Sequence, residues 1–230
     1  MKRLFALSFS VLVIGAAPAA AQQAPMSFFI TSVGSGDGAN LGGIEGADKR
    51  CTDLAAAAGS TGLTWRAYLS VGAEDGKPMQ NARDRIGTGP WYNAKGVKVA
   101  ENVADLHSPN SQLSKENSLT EKGTVVNGRG DTPNTHDVIT GSTLDGVLYV
   151  GDNYNNCNNY RSNSTGSGSV RVGHHDRQGG GENPTSWGSA HNSRGCSQAN
   201  LASSGGAGLY YCFGMPRGSG GSGGSDAIRE

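Results

Sequence analysis

Apolar and small residues follow a helical spacing in the segment 44–58, and a strand pattern comes soon after it. Glycine readily adopts a positive φ, so Gly59 suits the end of such a helix. Residues 65–71 (WRAYLSV) then alternate between the two faces of a strand. The pattern predicts a helix that begins near Gly43, a tight turn and a strand. The residues that share the apolar helix face, at steps of three and four, are Ile44, Ala47, Cys51, Leu54, Ala55 and Ala58.

Shorter patterns predict further elements along the chain. Residues 26–32 (MSFFITS) and 208–213 (GLYYCF) are rich in the aromatic and β-branched side chains that favour strands. Residues 81–87 (NARDRIG) are long enough for one helical turn, and residues 91–93 (WYN) indicate the start of a strand. Residues 107–137 are mainly polar, and we expect a loop there.

The beginning of the chain has the composition of a signal peptide. Lys2 and Arg3 precede an apolar run, residues 4–14, which is too short to span a bilayer. Small residues at Ala19 to Ala21 then provide a cleavage site. We therefore expect residues 1–21 to be removed near Ala21 and the protein to be secreted or periplasmic. The alternative for this segment is an N-terminal membrane anchor.

The end of the chain is rich in glycine and serine. Residues 214–230 cannot bury apolar surface, and we expect a disordered tail. Residues 22–213 lie between the two ends, and they are numerous enough for one domain with its own core. No other apolar run in the chain is long enough to predict a membrane span.

The amino-acid composition limits the kinds of partner that we expect for this domain. There are 37 glycines, and only 7% of residues are aromatic, so a large share of the chain must be loop. The formal net charge is zero, and lysine and arginine form no large cluster. This balance gives no electrostatic reason to expect nucleic acid or an anionic membrane as a partner.

Four cysteines lie in the predicted domain: Cys51, Cys157, Cys196 and Cys212. An even number in an exported chain predicts two disulfides. Four cysteines allow three pairings, and the sequence by itself does not choose among them. A zinc site is the alternative, but the spacings are wide and there is no CxxC pair.

Two motifs carry a family resemblance. Residues 41–51 (LGGIEGADKRC) and 65–70 (WRAYLS) resemble the helix and strand motifs of bacterial exported domains built like C-type lectins and endostatin. Residues 157–162 (CNNYRS) resemble a later segment of that family, with Tyr160 where tryptophan is usual. The resemblance covers most of residues 27–213. It is specific at the two ends and around the cysteines, and weak between residues 72 and 138.

This resemblance implies a fold and a disulfide pairing. The fold is α+β, of the C-type-lectin/endostatin type, with a mixed but mostly antiparallel sheet, one or two helices and long loops. The implied pairs are Cys51 with Cys212 and Cys157 with Cys196. The family resemblance also implies an exported, lectin-like module that binds an extracellular or envelope ligand such as a carbohydrate.

The calcium motif of lectins is missing from the corresponding segment. Residues 182–184 (ENP) have the order of the usual triplet changed, and residues 187–189 (WGS) lack both polar ligands. Endostatin binds zinc through residues near its N-terminus, and these have no match here. We therefore expect neither calcium nor zinc, and no other cofactor.

The densest polar group is residues 173–177 (GHHDR), with another histidine further along. Imidazole and carboxylate groups are competent zinc or copper ligands, but adjacent histidines on a strand point to opposite faces. A surface loop whose histidine and aspartate side chains cap turns and bond to the backbone is therefore favoured over a metal site. The variable loops between the second and third cysteines are the expected binding surface, with a core position as the alternative for Trp187. The candidate ligand-binding residues are Tyr160, Arg161, His174, His175, Asp176, Trp187 and His191.

An Arg-Gly-Asp tripeptide, Arg129-Gly130-Asp131, lies between turn signals. An exposed loop of this kind is what integrins recognise, so an adhesin that contacts host matrix is the first alternative function. The plainer interpretation is a tight turn, in which Gly128 and Gly130 supply positive φ and Asp131 bonds back to the chain.

Catalysis has little support in the sequence. There is no GxSxG motif, and residues 34–38 (GSGDG) lack the ending of a phosphate-binding loop. We expect Glu45 and Asp48 to lie on the solvated face of the first helix. The prediction is therefore a non-enzymatic binding module, with a structural envelope protein as the weaker alternative.

Overall fold

The computed structural model describes residues 25–151 and 156–218. The predicted signal peptide and most of the predicted tail lie outside these ranges. In chain order the elements are β1 Phe28–Ile30, α1 Gly43–Ala57, β2 Leu63–Ala67, α2 Ala82–Arg85, β3 Trp91–Tyr92, β4 Lys98–Ala100, α3 Val103–Leu106, β5 Asp137–Ile139, α4 Asn156–Tyr160, β6 Arg171–His174, β7 His191–Asn192, α5 Gln198–Ser204 and β8 Gly206–Pro216. Within the described ranges, none of the helices has the length and apolar character needed to cross a membrane.

The closing strand β8 is the centre of a six-stranded sheet. It pairs antiparallel with β1 at one edge. At its other edge it pairs antiparallel with β2 and parallel with β5. Strand β6 follows β5, and β7 follows β6, both antiparallel. The α+β class and the mixed, mostly antiparallel sheet are therefore as predicted, while β3 and β4 form a small separate sheet.

The predicted elements at the two ends of the domain are present with shifted limits. Helix α1 ends one residue before the predicted limit, and the closing strand is longer than residues 208–213. Its continuation includes Gly214 and Met215, which are buried and pair with β2. The described ranges contain five helical segments instead of one or two, and three of them are single turns.

Aromatic side chains fill the space around β8. Phe28, Phe29, Tyr211 and Phe213 are fully buried. Phe213 packs against Phe28 at 5.0 Å between ring centroids and meets Trp91 edge-on at 5.2 Å. Such pairs add about 0.5–1.5 kcal/mol each to the free energy gained by burying the rings. A small number of large residues therefore builds the core of this glycine-rich chain.

Two disulfides close the domain. Cys51 on α1 pairs with Cys212 on β8, and Cys157 pairs with Cys196, as the family resemblance implies. The bridges join residues 161 and 39 positions apart. In the chain-entropy model, independent loops of these lengths contribute roughly 5 and 4 kcal/mol. Two disulfides are typical of a protein that folds outside the reducing cytosol.

Asp48 corrects the expectation of a solvated helix face. Its carboxylate is buried against β2, where Oδ1 accepts the backbone N–H of Ala67 at 2.8 Å. Oδ2 accepts bonds from Arg66 at 2.9 Å and from Arg85 at 2.7 Å. Arg85 is itself almost fully buried and also donates to the Ala67 carbonyl oxygen. This network joins α1, β2 and α2. The periodicity of the sequence does not predict these contacts between elements.

The segment α4 is a left-handed turn. All five residues from Asn156 to Tyr160 have positive φ, between 48° and 63°. This conformation costs roughly 1–2 kcal/mol per residue, with asparagine among the residues that tolerate it best. The Tyr160 hydroxyl donates to Ser70 O at 2.7 Å, and the Asn159 amide group bonds Gly72. The disulfide and these bonds to residues 70–72 hold the turn in place.

We expect Asp48→Asn to lower the free energy of unfolding by about 3 kcal/mol or more. The variant leaves the buried guanidinium of Arg85 without its counter-charge, and such losses typically cost 3–5 kcal/mol. The matched control is Asp53→Asn on the same helix, where an exposed pair with Lys49 is broken at a cost of about 0.5 kcal/mol or less.

Urea unfolding of the two variants under oxidising conditions provides the measurement. Equal, small changes in the midpoint for both variants would show that the Asp48 network does not hold α1 against the sheet.

Candidate functional site

Three strands bring histidine and aspartate side chains together at one end of the sheet. Asp137 on β5 is the direct partner of His174 on β6 in the antiparallel register. His136 immediately precedes β5, and His191 begins the neighbouring strand β7. We call His136, Asp137, His174 and His191 the histidine cluster. It joins residues that are up to 55 positions apart in the chain.

One oxygen of Asp137 is the meeting point of the histidine cluster. Its Oδ1 lies 3.3 Å from His136 Nε2, 3.4 Å from His174 Nε2 and 3.4 Å from His191 Nε2. The side chains of Asp137, His136 and His174 are almost fully buried, while that of His191 is 24% exposed. Three imidazole rings therefore face a single carboxylate oxygen, and His191 is on the solvent side.

The second nitrogen of each ring faces an oxygen. His136 Nδ1 is 3.3 Å from Asp176 Oδ1, and His174 Nδ1 is 2.8 Å from the Pro184 carbonyl oxygen. His191 Nδ1 is 3.0 Å from its neighbour's carbonyl oxygen. A hydrogen bond at each of these places puts the proton on Nδ1. In the neutral rings the Nε2 lone pairs then face Asp137, the arrangement found in metal-binding histidines.

Asp137 is buried without a hydrogen-bond donor of good geometry. Neither carboxylate oxygen, nor His174 Nε2, has a hydrogen-bond partner within the described ranges. Burial raises the pKa of Asp137, but His174 and His191 lower it by more when their Nε2 atoms carry protons, so without a bound cation its pKa lies below the ordinary value. The same contact raises the pKa of His191. A buried, ionised carboxylate without donors is a site at which a cation would be stabilised.

The distances in the cluster match those between the ligands of one metal ion. Ligand atoms bound about 2.1 Å from a tetrahedral Zn²⁺ lie about 3.4 Å from each other. His136, Asp137 and His174 offer ligand atoms that all lie within 4.8 Å of one another. Imidazole and carboxylate are the ligands that Zn²⁺ commonly takes, so these side chains fit a transition-metal ion.

Metal binding requires a change in the stacking of His136 and His174. The rings of His136 and His174 are stacked, with centroids 4.3 Å apart and planes inclined by 9°. An imidazole nitrogen binds a metal ion along a lone pair in the plane of its ring, so one of these rings must tilt before both hold the same ion. His191 is already inclined by 60° to His174.

A surface pocket of about 320 Å³ opens onto the cluster. His136, His174 and His191 form its floor, and three consecutive glycines, residues 179–181, form one wall. A Cβ atom on Gly179 would lie 2.1 Å from the His174 ring, so only glycine allows this wall to approach the buried imidazole. A ligand in the pocket would reach the cluster from the His191 side.

The structure brings together only part of the predicted ligand-binding set. His174, Asp176 and His191 belong to the cluster or contact it. His175 follows the end of β6, and its Nε2 lies 3.1 Å from the Asn127 carbonyl oxygen, away from the cluster. Burial lowers the pKa of His175, and this ring is isolated from the pocket.

The other three predicted residues lie elsewhere. Tyr160 is buried in the left-handed turn, and Arg161 pairs with Glu74 at the surface. Trp187 is 5% exposed and packs on Tyr68 with 4.9 Å between ring centroids. Its indole nitrogen donates to a backbone carbonyl oxygen at 3.1 Å. The alternative interpretation of Trp187 as a core residue is the one that the structure supports.

The Arg-Gly-Asp loop is a tight turn. Asp131 Oδ2 accepts the backbone N–H of Gly128 at 2.7 Å and an ion pair from Lys115. The Asp131 carboxylate is therefore engaged with its own chain, and only Gly130 has the expected positive φ. Arg129 remains exposed, and its backbone N–H donates to Asp176 at 2.6 Å. The turn thus places Arg129 beside the pocket.

Sequence reasoning missed His136 and Asp137. They fall at the end of the segment predicted as polar loop, and no local motif relates them to His174. In the segment compared with the lectin calcium motif, Glu182 pairs with Arg171, and the Asn183 amide group donates to the Ser189 carbonyl oxygen. A histidine next to an aspartate just before an apolar strand was the signal available.

Comparison with known proteins adds no relative. The chain matches no protein-family model, and no curated protein matches it at a significant level. The family resemblance therefore stays a prediction, and the geometry of the histidine cluster carries the functional argument.

We expect Gly179→Ala to weaken Zn²⁺ binding by about tenfold or more, because its methyl group displaces the His174 ring from the Pro184 carbonyl oxygen. Gly180→Ala is the matched control, since a Cβ atom there meets no atom within 4 Å. Zn²⁺ titration calorimetry compares the two variants. Equal affinities would show that the position of the His174 ring does not control binding.

Proposed function

We propose that this chain is an exported, non-catalytic module that binds a divalent transition-metal ion, Zn²⁺ above all, in the histidine cluster. The ion presents an open coordination position to a ligand in the pocket. The observation that carries the proposal is the buried carboxylate of Asp137, which faces three imidazole nitrogens at 3.3–3.4 Å. Among the residues that the structure describes, this carboxylate has no hydrogen-bond donor of good geometry.

A bound cation would supply the counter-charge that the Asp137 carboxylate lacks. A buried, unpaired carboxylate is costly, and a bound ion supplies the missing counter-charge. Zinc sites take neutral imidazoles whose other nitrogen donates to an oxygen, and the cluster has this arrangement in all three rings. Protonated histidines are the competing explanation, but the contacts to Asp137 lack good hydrogen-bond geometry.

The division between buried and exposed ligands supports binding of a further partner. His136, Asp137 and His174 form the buried part, and His191 stands at the pocket. Three protein ligands leave a fourth position for His191, water or an external ligand, as in open zinc sites. The pocket is lined by no carboxylate side chain that would serve as a general base, which favours binding over hydrolysis.

Titration calorimetry tests the proposal on the exported protein after EDTA treatment and dialysis. We expect one Zn²⁺ per chain, and a loss of more than about a hundredfold in affinity for Asp137→Asn and for His174→Ala. That loss exceeds the tenfold to hundredfold typical of removing an outer partner. His107→Gln is the control, because His107 bonds Tyr68 and Val103 and lies outside the cluster.

A melting curve of each variant in EDTA separates loss of the site from loss of the fold. Wild-type protein that binds Zn²⁺ no better than a folded His174→Ala variant would overturn the proposal. Zinc should also raise the melting temperature of the wild-type protein, since a ligand at a hundred times its dissociation constant adds about 2.7 kcal/mol.

A further inference from the structure

The rim of the pocket over the histidine cluster carries two arginines. Arg129 and Arg194 both line it, and both are exposed. Within residues 25–151 and 156–218, neither guanidinium forms a hydrogen bond or an ion pair, although the backbone N–H of Arg129 donates to Asp176. No aspartate or glutamate among the described residues lines the pocket. Two uncompensated positive charges therefore face the same space.

The glycine wall of the pocket also carries backbone donors without acceptors. The wall formed by residues 179–181 has three successive amide groups that bond to no acceptor in the described part of the chain. A Cβ atom at Gly180 would meet nothing within 4 Å, so the middle of this wall is open to the pocket. Unpaired backbone amides of this kind are common in anion-binding loops.

We infer that the pocket takes an oxyanion, a carboxylate or phosphate group, that binds the metal ion and is held by Arg129 and Arg194. This inference rests on the proposed metal site. The guanidinium groups match the geometry of both kinds of oxyanion, and the metal ion takes an anionic oxygen at its open position.

A neutral sugar fits the same pocket less well. Sugar sites usually offer an aromatic face for stacking, whereas the rings that line this pocket in the described part of the chain are imidazoles. A neutral ligand would also leave both guanidinium groups without a counter-charge. If the module binds glycans, the pocket selects those with acidic groups.

Cobalt provides a test that keeps the two proposals separate. Co²⁺ replaces Zn²⁺ in such sites, and its visible absorption reports its ligands. We titrate the Co²⁺-loaded protein with glucuronate, inorganic phosphate, sulfate and, as neutral control, glucose. We expect saturable spectral changes with glucuronate or phosphate and none with glucose. The order of affinities distinguishes a carboxylate from a phosphate ligand.

The arginines are tested by a double variant, Arg129→Gln with Arg194→Gln. We expect anion affinity to fall by about tenfold or more, while the Co²⁺ spectrum without anion stays unchanged. The control is Arg50→Gln on α1, outside the pocket. A Co²⁺ spectrum that no anion alters, or an unchanged anion affinity in the double variant, overturns this inference alone. Absence of any Co²⁺ spectrum in the wild-type protein overturns the metal site itself.

Discussion

The hydrogen bonding of the closing strand on both edges is the constraint on which the rest of the structure depends. β8 carries eleven residues, and its backbone is paired by β1 on one side and by β2 and β5 on the other. A strand that is buried on both edges must find a partner for nearly every backbone group. β1, β2 and β5 are therefore each held in place by their pairing with β8. The Cys51–Cys212 bridge then fixes helix α1 to this strand.

The position of the histidine cluster depends on β8. The backbone N–H of Asp137 donates to Gly205 O, and Asp137 pairs with Gly206 at the start of β8. A Cβ atom at Gly206 would lie 3.1 Å from the Cβ atom of Asp137, so the two strands approach tightly at this pair. β6 and β7 then add His174 and His191 from the other side of β5. The closure of the fold and the assembly of the site are thus consequences of the same pairing.

Local sequence patterns predict the elements that are determined by residues close together in the chain. They do not predict contacts between residues that are far apart in the chain. The helix α1 and the strand after it follow from apolar spacing, because the periodicity of one element is local. The helical spacing predicts a solvated position for Asp48, because its partners Arg66 and Arg85 lie on elements that this spacing does not relate to it. His136 and Asp137 are not predicted as site residues for the same reason, since the cluster is formed by three separate strands. The disulfide pairing was predicted only through the family resemblance.

The left-handed turn at α4 limits the residue types that this segment can contain. Three of its five residues are asparagine, the non-glycine residue type that adopts this conformation at low cost. A β-branched side chain at any of these five positions would strain the backbone, because such residues rarely adopt positive φ. The residue types of this segment are therefore constrained by the handedness of the turn, independently of the histidine cluster.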